Sequence, residues 1–333
     1  MIKLSVIIPI YNGERYLREC LDSVMECQIK EMECILVNDG SKDTSLEICK
    51  EYCNKDVRFR LVNQENQGVS MARNKGVKIA SGVYLMFLDA DDYMDTNSWS
   101  LIKQDVDRAE NDFIAYSYYT LYASGQTKAE RLCEQESVLQ DKNTITKFMY
   151  ASSKLNTCWG KLFLTEVIQS NQLRFRADLK IGEDFIFVAE YYSHCTAPRL
   201  YSQCILYYRQ HPESTMNKYD MKTRLGYLKI LYNYNQTKVE ELADQNLQLE
   251  MNYYYLCMIT DLFLEFAKRT TKKELREIYQ GALTYEPVTT MISKVDCKDI
   301  KKPYKKIEYH LLHKQQVGAL IGYFKLKAFI DQR

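Results

Sequence analysis

Short apolar runs alternate with segments of helical periodicity over residues 1–95, and this alternation constrains the fold more than any other feature. Runs of aliphatic and β-branched residues are typical of strands that are buried on both faces. Four strands are predicted, over 3–10, 34–37, 57–62 and 83–88. Helices are predicted between them, over 14–25, 44–52 and 68–80. This βαβαβαβ order predicts an α/β fold with a mostly parallel sheet flanked by helices.

Polar residues follow three of the predicted strands at the point where each strand ends. Tyr11 and Asn12 follow the first strand, residues 38–40 (Asn-Asp-Gly) the second and residues 89–92 (Asp-Ala-Asp-Asp) the fourth. In parallel α/β sheets, ligands bind beyond the carboxyl ends of the strands. The sequence therefore predicts a binding site at this edge of the sheet.

The pattern changes after the fourth strand. A helix is predicted near 99–111, a strand over 112–122, a helix over 182–192 and a strand over 200–209. Residues 219–280 are predicted to form long helices, and residues 304–330 one last amphipathic helix. We therefore predict two parts, an α/β domain over 1–217 that carries the site and a mainly helical C-terminal region over 218–333.

The charge of the chain is close to neutral overall but uneven along it. The 333 residues include 45 basic and 44 acidic side chains, a formal net charge of +1. Nucleic acid is not expected as a partner, because a dedicated nucleic-acid binder usually has a strongly basic face. Residues 301–333 contain eight Lys or Arg and two acids, which leaves a net charge of −5 on residues 1–300. A basic tail of this kind favours an anionic surface as a partner.

The cysteines and the apolar stretches favour a cytoplasmic protein. The 11 cysteines form no C-x-x-C pair, and Cys20, Cys34, Cys49 and Cys158 stand where a small apolar residue would fit. We interpret them as reduced thiols. No signal peptide is predicted, and no apolar stretch reaches the ~18 residues needed to span a bilayer. We expect the protein to be cytoplasmic, either free or peripheral at the inner face of the membrane.

Asp89 and Asp91 lie where the fourth strand gives way to a loop. Carboxylates at positions i and i+2 can bind Mg²⁺ or Mn²⁺ there, with substrate phosphates completing the coordination shell. A D-x-D motif by itself is a weak signal, because acids after a strand are more often part of a turn or a helix cap.

The segments around this motif make the interpretation more specific. They cover residues 6–12 (VIIPIYN), 37–41 (VNDGS), 68–76 (GVSMARNKG) and 80–88 (ASGVYLMFL). Together they resemble the nucleotide-binding half of family 2 glycosyltransferases, and the match extends over residues 3–95. The resemblance implies a GT-A fold and an inverting, metal-dependent glycosyltransferase with a UDP-sugar donor and Mn²⁺ or Mg²⁺ as cofactor.

The resemblance also implies roles in donor binding. Pro9, Tyr11 and Asn12 would line the nucleobase pocket, Asp39 would accept a hydrogen bond from the uracil ring, and Arg73 would lie near the base or the phosphates. A carboxylate acceptor matches an imide N–H donor, which thymine offers as well as uracil. A dTDP-sugar donor therefore remains an alternative, and a GDP-sugar fits less naturally. Taken alone, Pro9 is explained by the end of a strand and Arg73 by a surface ion pair.

For the chemistry, the resemblance assigns Asp91 as the principal metal ligand and Asp89 as a contact to ribose or metal. Glu183 and Asp184 open a predicted helix, where acids also complement the helix dipole. In family 2 enzymes a Glu-Asp pair follows the D-x-D motif by about this interval, and its Asp acts as the general base. The resemblance therefore makes Asp184 the catalytic base, and Glu183 would help to position the acceptor.

Arg209 and His211 lie at the end of the strand predicted over 200–209 and in the loop after it. The family often has a His in such a loop that reaches the diphosphate or the metal. We predict that Arg209 contacts the donor nucleotide and that His211 is a metal ligand, although an ordinary surface loop explains both equally well. Ser214 and Thr215 are weaker candidates in the same loop.

Trp159 is predicted to form an aromatic platform for the acceptor sugar, and a half-buried core position explains it equally well. Processive relatives such as the cellulose, chitin and hyaluronan synthases have transmembrane helices and a Gln-x-x-Arg-Trp motif. Neither Trp99 nor Trp159 lies in such a motif. We therefore expect transfer of one hexose or N-acetylhexosamine per encounter, to a saccharide or lipid-linked saccharide acceptor in polysaccharide synthesis.

Two alternatives stay open from the sequence. The protein could be a non-catalytic nucleotide-sugar or glycan-binding protein with the same fold; Asp39, Asp91 and Asp184 argue against this, because a binding protein needs no base. The basic tail over 301–333 either lies on an anionic membrane or packs its apolar face on the catalytic domain with its lysines in solvent. We favour packing for most of the helix.

Overall fold

The computed structural model describes residues 1–133, 140–211 and 219–331. The chain divides into two compact units, Met1–Ile145 with Lys154–Ser214, and Thr146–Ser153 with Thr215–Arg333. The predicted boundary between residues 217 and 218 lies outside the described residues, as do Ser214 and Thr215.

The first part of the α/β unit follows the predicted alternation of strands and helices. The strands are β1 (Leu4–Ile10), β2 (Met32–Asp39), β3 (Phe59–Gln64) and β4 (Tyr84–Phe87). The helices between them are α1 (Glu14–Met25), α2 (Ser45–Lys55) and α3 (Val69–Ile79). Every residue of β1, β2 and β4 is buried. Because successive side chains point to opposite faces, both faces of these strands are covered.

The rest of the α/β unit contains shorter elements. They are β5 (Tyr93–Met94), α4 (Trp99–Arg108), β6 (Phe113–Leu121), β7 (Thr127–Glu130), α5 (Lys142–Tyr150), β8 (Lys161–Leu164), α6 (Thr165–Ser170), α7 (Glu183–Ser193) and β9 (Pro198–Arg209). A 3-10 turn over Thr96–Ser98 precedes α4.

Nine strands of the described residues form one sheet in the order β3-β2-β1-β4-β8-β6-β9-β5, with β7 paired to β6. The pairs β1–β2, β2–β3 and β1–β4 are parallel, as predicted. Beyond β4 the sheet is mixed, because β8 runs antiparallel to both β4 and β6, while β6 and β9 are parallel.

The strand order reverses between β1 and β4. The chain winds outward from β1 through β2 to β3 and then returns to place β4 on the other side of β1. A crevice at the carboxyl ends of two such strands is the usual ligand site of an open α/β sheet. The loops after β1 and β4 meet there, since a Cβ built on Gly13 would lie 3.5 Å from the Cβ of Ala90.

The second unit is built from helices. They are α8 (Met221–Leu242), α9 (Gln245–Arg269), α10 (Lys272–Thr284), α11 (Glu286–Ser293), α12 (Pro303–His313) and α13 (Val317–Asp331), with a 3-10 turn over Cys297–Asp299. The first turns of α8 and α9 are capped by the side chains of Asp220 and Asp244, and α10 begins with a capping box of Thr271 and Glu274. These caps accept hydrogen bonds from backbone N–H groups that have no partner within the helix.

The prediction of a single helix over 304–330 is wrong, because α12 ends at His313 and α13 begins at Val317. Gln315 between them has a φ of 50°, and Gln316 N–H donates back to Leu311 C=O at 3.0 Å. A left-handed residue with such a backward bond terminates a helix.

The expectation that the tail lysines are merely solvated is also wrong for Lys305. This lysine is buried and pairs with Glu308 at 3.0 Å and with Asp261 at 3.1 Å. The buried side of α13 packs within the second unit, where the ring of Phe324 lies 6.0 Å from that of Phe263 and 6.2 Å from that of Tyr279.

None of the helices in the described parts of the chain combines the length and the apolar character needed to cross a bilayer. The four cysteines predicted to replace small apolar residues, Cys20, Cys34, Cys49 and Cys158, are buried free thiols.

Gly76 provides a test of the packing between α3 and the sheet. A Cβ at this position would lie 2.4 Å from Cγ2 of Ile7, in the middle of β1. We expect Gly76→Ala to lower the free energy of unfolding by ~1–3 kcal/mol, because the buried Ile7 must shift. Urea unfolding would measure it. Gly281→Ala in α10 is the control, since nothing lies within 4 Å of the added Cβ and alanine favours a helix; equal destabilisation by both changes would contradict this account.

Candidate active site

The buried guanidinium of Arg73 joins the two acidic motifs. Arg73 lies on α3, and its side chain is 4 % exposed. Its Nη2 donates to Oδ1 of Asp89 at 2.8 Å. Its Nη1 donates to Oε1 of Glu183 at 3.2 Å and also to Oδ1 of Asp184. One side chain thus holds the end of β4 against the first turn of α7, although the two segments are far apart in sequence.

Neighbours of Arg73 on α3 hold the segment that leads to α7. The side chain of Asn74 donates to Phe175 C=O at 2.8 Å and accepts from Phe175 N–H at 2.9 Å. Ser70 Oγ donates to Arg176 C=O at 3.2 Å, and the Arg73 guanidinium lies 5.3 Å from the Phe175 ring. These contacts of α3 therefore hold residues 175 and 176 in place, and with them the segment that leads to the first turn of α7.

Burial and charge shape the ionisation of the Glu183–Asp184 pair. Burial raises the pKa of the Asp184 carboxyl above its ordinary value, and the positive charge of Arg73 opposes this shift. Burial, followed by the charge of Asp184, raises the pKa of the Glu183 carboxyl. Asp184 also accepts a hydrogen bond from Cys158 N–H at 3.4 Å through Oδ2. A carboxylate of raised pKa that stays ionised is a stronger proton acceptor, as a general base requires.

Asp91 and His211 form a second pair. Oδ2 of Asp91 lies 3.0 Å from Nε2 of His211, and the Asp91 side chain is 43 % exposed. Carboxylate oxygen and imidazole nitrogen are suitable donors for Mn²⁺. Among the described residues no group of three or more His, Cys, Asp or Glu side chains is arranged to hold a metal. Asp91 and His211 are therefore a pair of possible metal donors, while the carboxylate of Asp89 bonds Arg73, and the predicted metal site of Asp91, Asp89 and His211 stays a prediction.

Arg209 positions the loop that carries Asp91. Its backbone N–H donates to Oδ1 of Asp92 at 2.8 Å, its Nε to Asp91 C=O at 3.0 Å and its Nη2 to Oε2 of Glu19 at 2.5 Å. The guanidinium also lies 4.6 Å from the centre of the Tyr16 ring. The structure therefore shows Arg209 as a support of the loop that carries Asp91, and its predicted contact with the donor stays a prediction.

Asp92 is a residue to which the sequence assigned no role of its own. It is 1 % exposed, and burial raises the pKa of its carboxyl well above the ordinary value. Through Arg209 N–H it ties the loop after β4 to β9. A third acid directly after D-x-D was visible in the sequence, but its burial was not.

Asp39 organises the loop between β3 and α3. Its Oδ1 accepts from Gln64 Nε2 at 2.7 Å and from Gln67 N–H at 2.9 Å, and its Oδ2 accepts from Gly68 N–H at 2.8 Å. Gly68 has a φ of 89°, in the region that favours glycine. Asp39 is 2 % exposed, so its predicted bond to a nucleobase depends on the acceptor capacity left on these oxygens.

Of the other predicted nucleotide contacts, Tyr11 and Asn12 lie in the loop after β1 and Pro9 lies within the strand. Tyr11 is 50 % exposed, whereas Pro9 is buried beside Val37 of β2. Asn12 has a φ of 50°, and its Oδ1 accepts from Lys42 N–H at 2.8 Å. Asn12 thereby links the loops after β1 and β2, and Tyr11 offers the accessible ring.

Trp159 is part of the hydrophobic core in this structure. Its side chain is 6 % exposed, stacks on Tyr208 with ring centres 5.3 Å apart and meets the edge of Tyr118 at 4.7 Å. Its predicted role as an acceptor platform stays a prediction, and the stacked Tyr208 covers one of its faces.

Lys161 is a buried cation that the sequence did not single out. It is 3 % exposed on β8, and its Nζ donates to Thr157 Oγ1 at 3.3 Å and to Trp159 C=O at 3.4 Å. Burial lowers the pKa of the Lys161 ammonium to about 8, and the negative charge of Asp184 opposes this shift. Lys161 therefore adds positive charge to the surroundings of Asp184, next to the segment whose N–H group bonds that carboxylate.

Comparison with known proteins identifies the class of this site. The family model described as "Glycosyl transferase family 2" matches residues 5–171. The chain therefore belongs to glycosyl transferase family 2, which confirms the predicted family and, at the level of that family, the predicted class of enzyme.

Two curated relatives show how far the similarity extends. The uncharacterized glycosyltransferase EpsJ of Bacillus subtilis (strain 168) is 29 % identical over 213 residues, which are 63 % of this chain and 62 % of EpsJ. The putative glycosyltransferase EpsH of the same organism is 28 % identical over 86 % of this chain and 84 % of its own length. The chain thus spans less than two thirds of EpsJ but most of EpsH.

A solved structure supports the fold. The crystal structure of S. aureus TarS 1-349 in complex with UDP-GlcNAc has a TM-score of 0.69 at 17 % sequence identity, covering 99 % of this chain and 92 % of that chain. This likeness confirms the predicted fold, an α/β unit of GT-A type followed by a helical region.

The raised pKa of Asp184 predicts a pH dependence. If Asp184 is the predicted general base, it accepts a proton only when ionised, so kcat/KM is expected to fall as the pH falls, with a midpoint above the ordinary aspartate value of ~4. Burial and the charge of Asp184 raise the pKa of Glu183 to about 7, so Glu183 is mostly neutral where Asp184 titrates, and Glu183→Gln is expected to leave this midpoint nearly unchanged. Asp178→Asn, an exposed acid in the segment before α7, is the control and should leave it unchanged. An unshifted midpoint near 4 in the wild-type enzyme would contradict the assignment.

Proposed function

We propose that the protein is an inverting, metal-dependent glycosyltransferase that moves one hexose or N-acetylhexosamine from a UDP-sugar to a saccharide or lipid-linked saccharide. The observation that carries the proposal is the Arg73 bridge, which brings Asp89 of the D-x-D motif and the candidate base Asp184 to one place. A base next to a cation site at the carboxyl ends of β1 and β4 is what direct transfer from a nucleotide sugar requires.

In this proposal Asp184 takes the proton of the acceptor hydroxyl as that oxygen attacks the anomeric carbon. Arg73 and Cys158 N–H orient the carboxylate, and Arg73 keeps it ionised despite its burial. Glu183, on the same turn, positions the acceptor. A single displacement needs no nucleophilic carboxylate and inverts the configuration of the anomeric carbon.

Asp91, His211 and Asp89 would hold Mn²⁺ or Mg²⁺. When bound, the cation neutralises the charge that develops on the diphosphate leaving group. Arg209 supports this role through the carbonyl group of Asp91 and the side chain of Asp92, which fix the loop before any ligand arrives. Binding of the donor is then less costly, because the loop is already ordered.

The preference for a UDP-sugar and for a cell-surface acceptor is supported by the relatives. The TarS structures contain UDP or UDP-GlcNAc. Relatives at 33 % and 29 % identity are named as a minor teichoic acid biosynthesis protein of Bacillus subtilis and as a teichoic acid poly(glycerol phosphate) polymerase of Staphylococcus epidermidis. We infer an acceptor from cell-surface polysaccharide or teichoic acid synthesis. Asp39 accommodates thymine as well as uracil, so dTDP-sugars belong in the test.

The metal role is tested by donor hydrolysis. Purified protein with UDP-, dTDP- and GDP-sugars is expected to release nucleoside diphosphate from one UDP-sugar in the presence of Mn²⁺ and not in EDTA. Asp91→Asn should lower this rate by ~100-fold or more, because the principal ligand is lost. The exposed-acid control Asp178→Asn should keep the wild-type rate. Hydrolysis that is indifferent to EDTA and to Asp91→Asn would overturn the metal-dependent mechanism.

The base is tested separately from donor binding. Asp184→Asn is expected to lower kcat of transfer by ~10²–10⁴ while the protein still binds the UDP-sugar in calorimetry. Nucleotide-sugar binding by the wild-type protein, with no hydrolysis and no transfer to any acceptor, would instead support a non-catalytic binding protein. Absence of both binding and hydrolysis would remove the donor assignment altogether.

A further inference from the structure

The solvent-facing side of α13 is apolar. Ala319, Gly322, Leu326, Phe329 and Ile330 are all exposed. They recur at intervals of three and four residues, so they share one face of the helix. Leu326 and Ile330 are each 61 % exposed and Phe329 is 54 % exposed. We refer to these five residues as the α13 patch.

The other side of α13 already serves the core of the second unit. Leu320, Phe324 and Ala328 are buried, and Phe324 packs on Phe263 and Tyr279. The helix therefore has two apolar sides with Lys325 and Lys327 between them, and the described residues cover only one of these sides. A contiguous exposed apolar surface of this kind marks an interaction site.

Helix α12 extends the surface beside the patch. Lys327 of α13 donates to Oε1 of Glu308 at 2.7 Å and lies 5.1 Å from the Tyr304 ring. These contacts place the start of α12 alongside the last turns of α13. Tyr304 and Ile307 on α12 are 41 % and 51 % exposed, and they add an aromatic and an aliphatic group to this surface.

The charge around the patch is positive. Lys301 and Lys302 are exposed at the start of α12, and Lys302 Nζ lies 5.9 Å from the Tyr304 ring. The nearby acids are already engaged: Glu308 is fully buried between Lys305 and Lys327, and Asp331 pairs with Lys268 at 3.0 Å. Residues 301–333 carry eight basic side chains and two acidic ones.

We propose that the α13 patch, with Tyr304, Ile307 and the lysines beside them, docks on the surface of an anionic lipid bilayer. Apolar side chains enter the boundary between headgroups and acyl chains, while lysines at the edge attract anionic headgroups. An aromatic ring with a polar end suits that boundary. A second copy of the chain fits less well, because two lysine-rich faces would repel each other.

The surface uses residues of the second unit only and none of the donor site. Its test is therefore independent of the proposed transfer reaction, and a failure of one leaves the other standing. Docking would hold the enzyme at the membrane, where lipid-linked acceptors of the proposed class reside.

Co-sedimentation of the full chain with vesicles tests the proposal. We expect binding to equimolar phosphatidylcholine and phosphatidylglycerol at low salt, little binding to phosphatidylcholine alone, and weaker binding at high salt. The double change Leu326→Glu and Ile330→Glu should weaken partitioning by ~10-fold or more. Lys301→Gln and Lys302→Gln should each weaken it by about fivefold.

The control is Leu249→Glu on α9, an apolar residue of the same unit that is 44 % exposed. It should bind vesicles like the wild type, and circular dichroism would check that every variant keeps its helices. The proposal is overturned if the wild type does not bind anionic vesicles, or if the Leu326 and Ile330 variant binds as well as the control. It is also overturned if light scattering shows that the wild type is a dimer and the Leu326 and Ile330 variant a monomer, since a second copy of the chain would then cover the patch.

Discussion

The site depends on one buried cation among three carboxylates. Arg73 is 4 % exposed and bonds Asp89, Glu183 and Asp184. Three acids in a buried place would repel each other and lose their hydration, so they stay together only because the guanidinium offers donors in several directions. The same contact favours the ionised form of the candidate base, against the effect of burial. Structure and chemistry are therefore linked through this side chain: removing it would leave uncompensated buried charge as well as a misplaced base.

The sheet supplies the framework on which this interaction acts. Because the strand order reverses between β1 and β4, the loops after these strands lie side by side at one edge of the sheet. Asn12, Asp39, Asp92 and Arg209 then tie neighbouring loops together by hydrogen bonds to backbone groups. Several of the predicted binding residues thus also fix the positions of the loops at the carboxyl ends of the strands. The candidate site is therefore largely ordered before its ligands bind.

Some features could not be read from the sequence because they depend on contacts between distant segments. Trp159 has the same sequence context whether it faces a sugar or the core, and only its stacking on Tyr208 distinguishes the two. Asp92 and Lys161 carry ordinary charged side chains in the sequence, and their roles follow from burial. The break between α12 and α13 follows from the left-handed Gln315, a conformation that a residue other than glycine adopts too rarely to be predicted.

The sequence by itself determined the alternation of strands and helices over the first 95 residues, the family, and the acids and basic residues from which the site is built. These features are local, since hydrophobic periodicity and short motifs are written in neighbouring residues. Only the tertiary structure decided that Arg73 faces the carboxylates, that β6, β8 and β9 make the sheet mixed, and that one side of α13 stays exposed. The reason is physical: burial, charge neutralisation and strand pairing arise between residues that are brought together only when the chain folds.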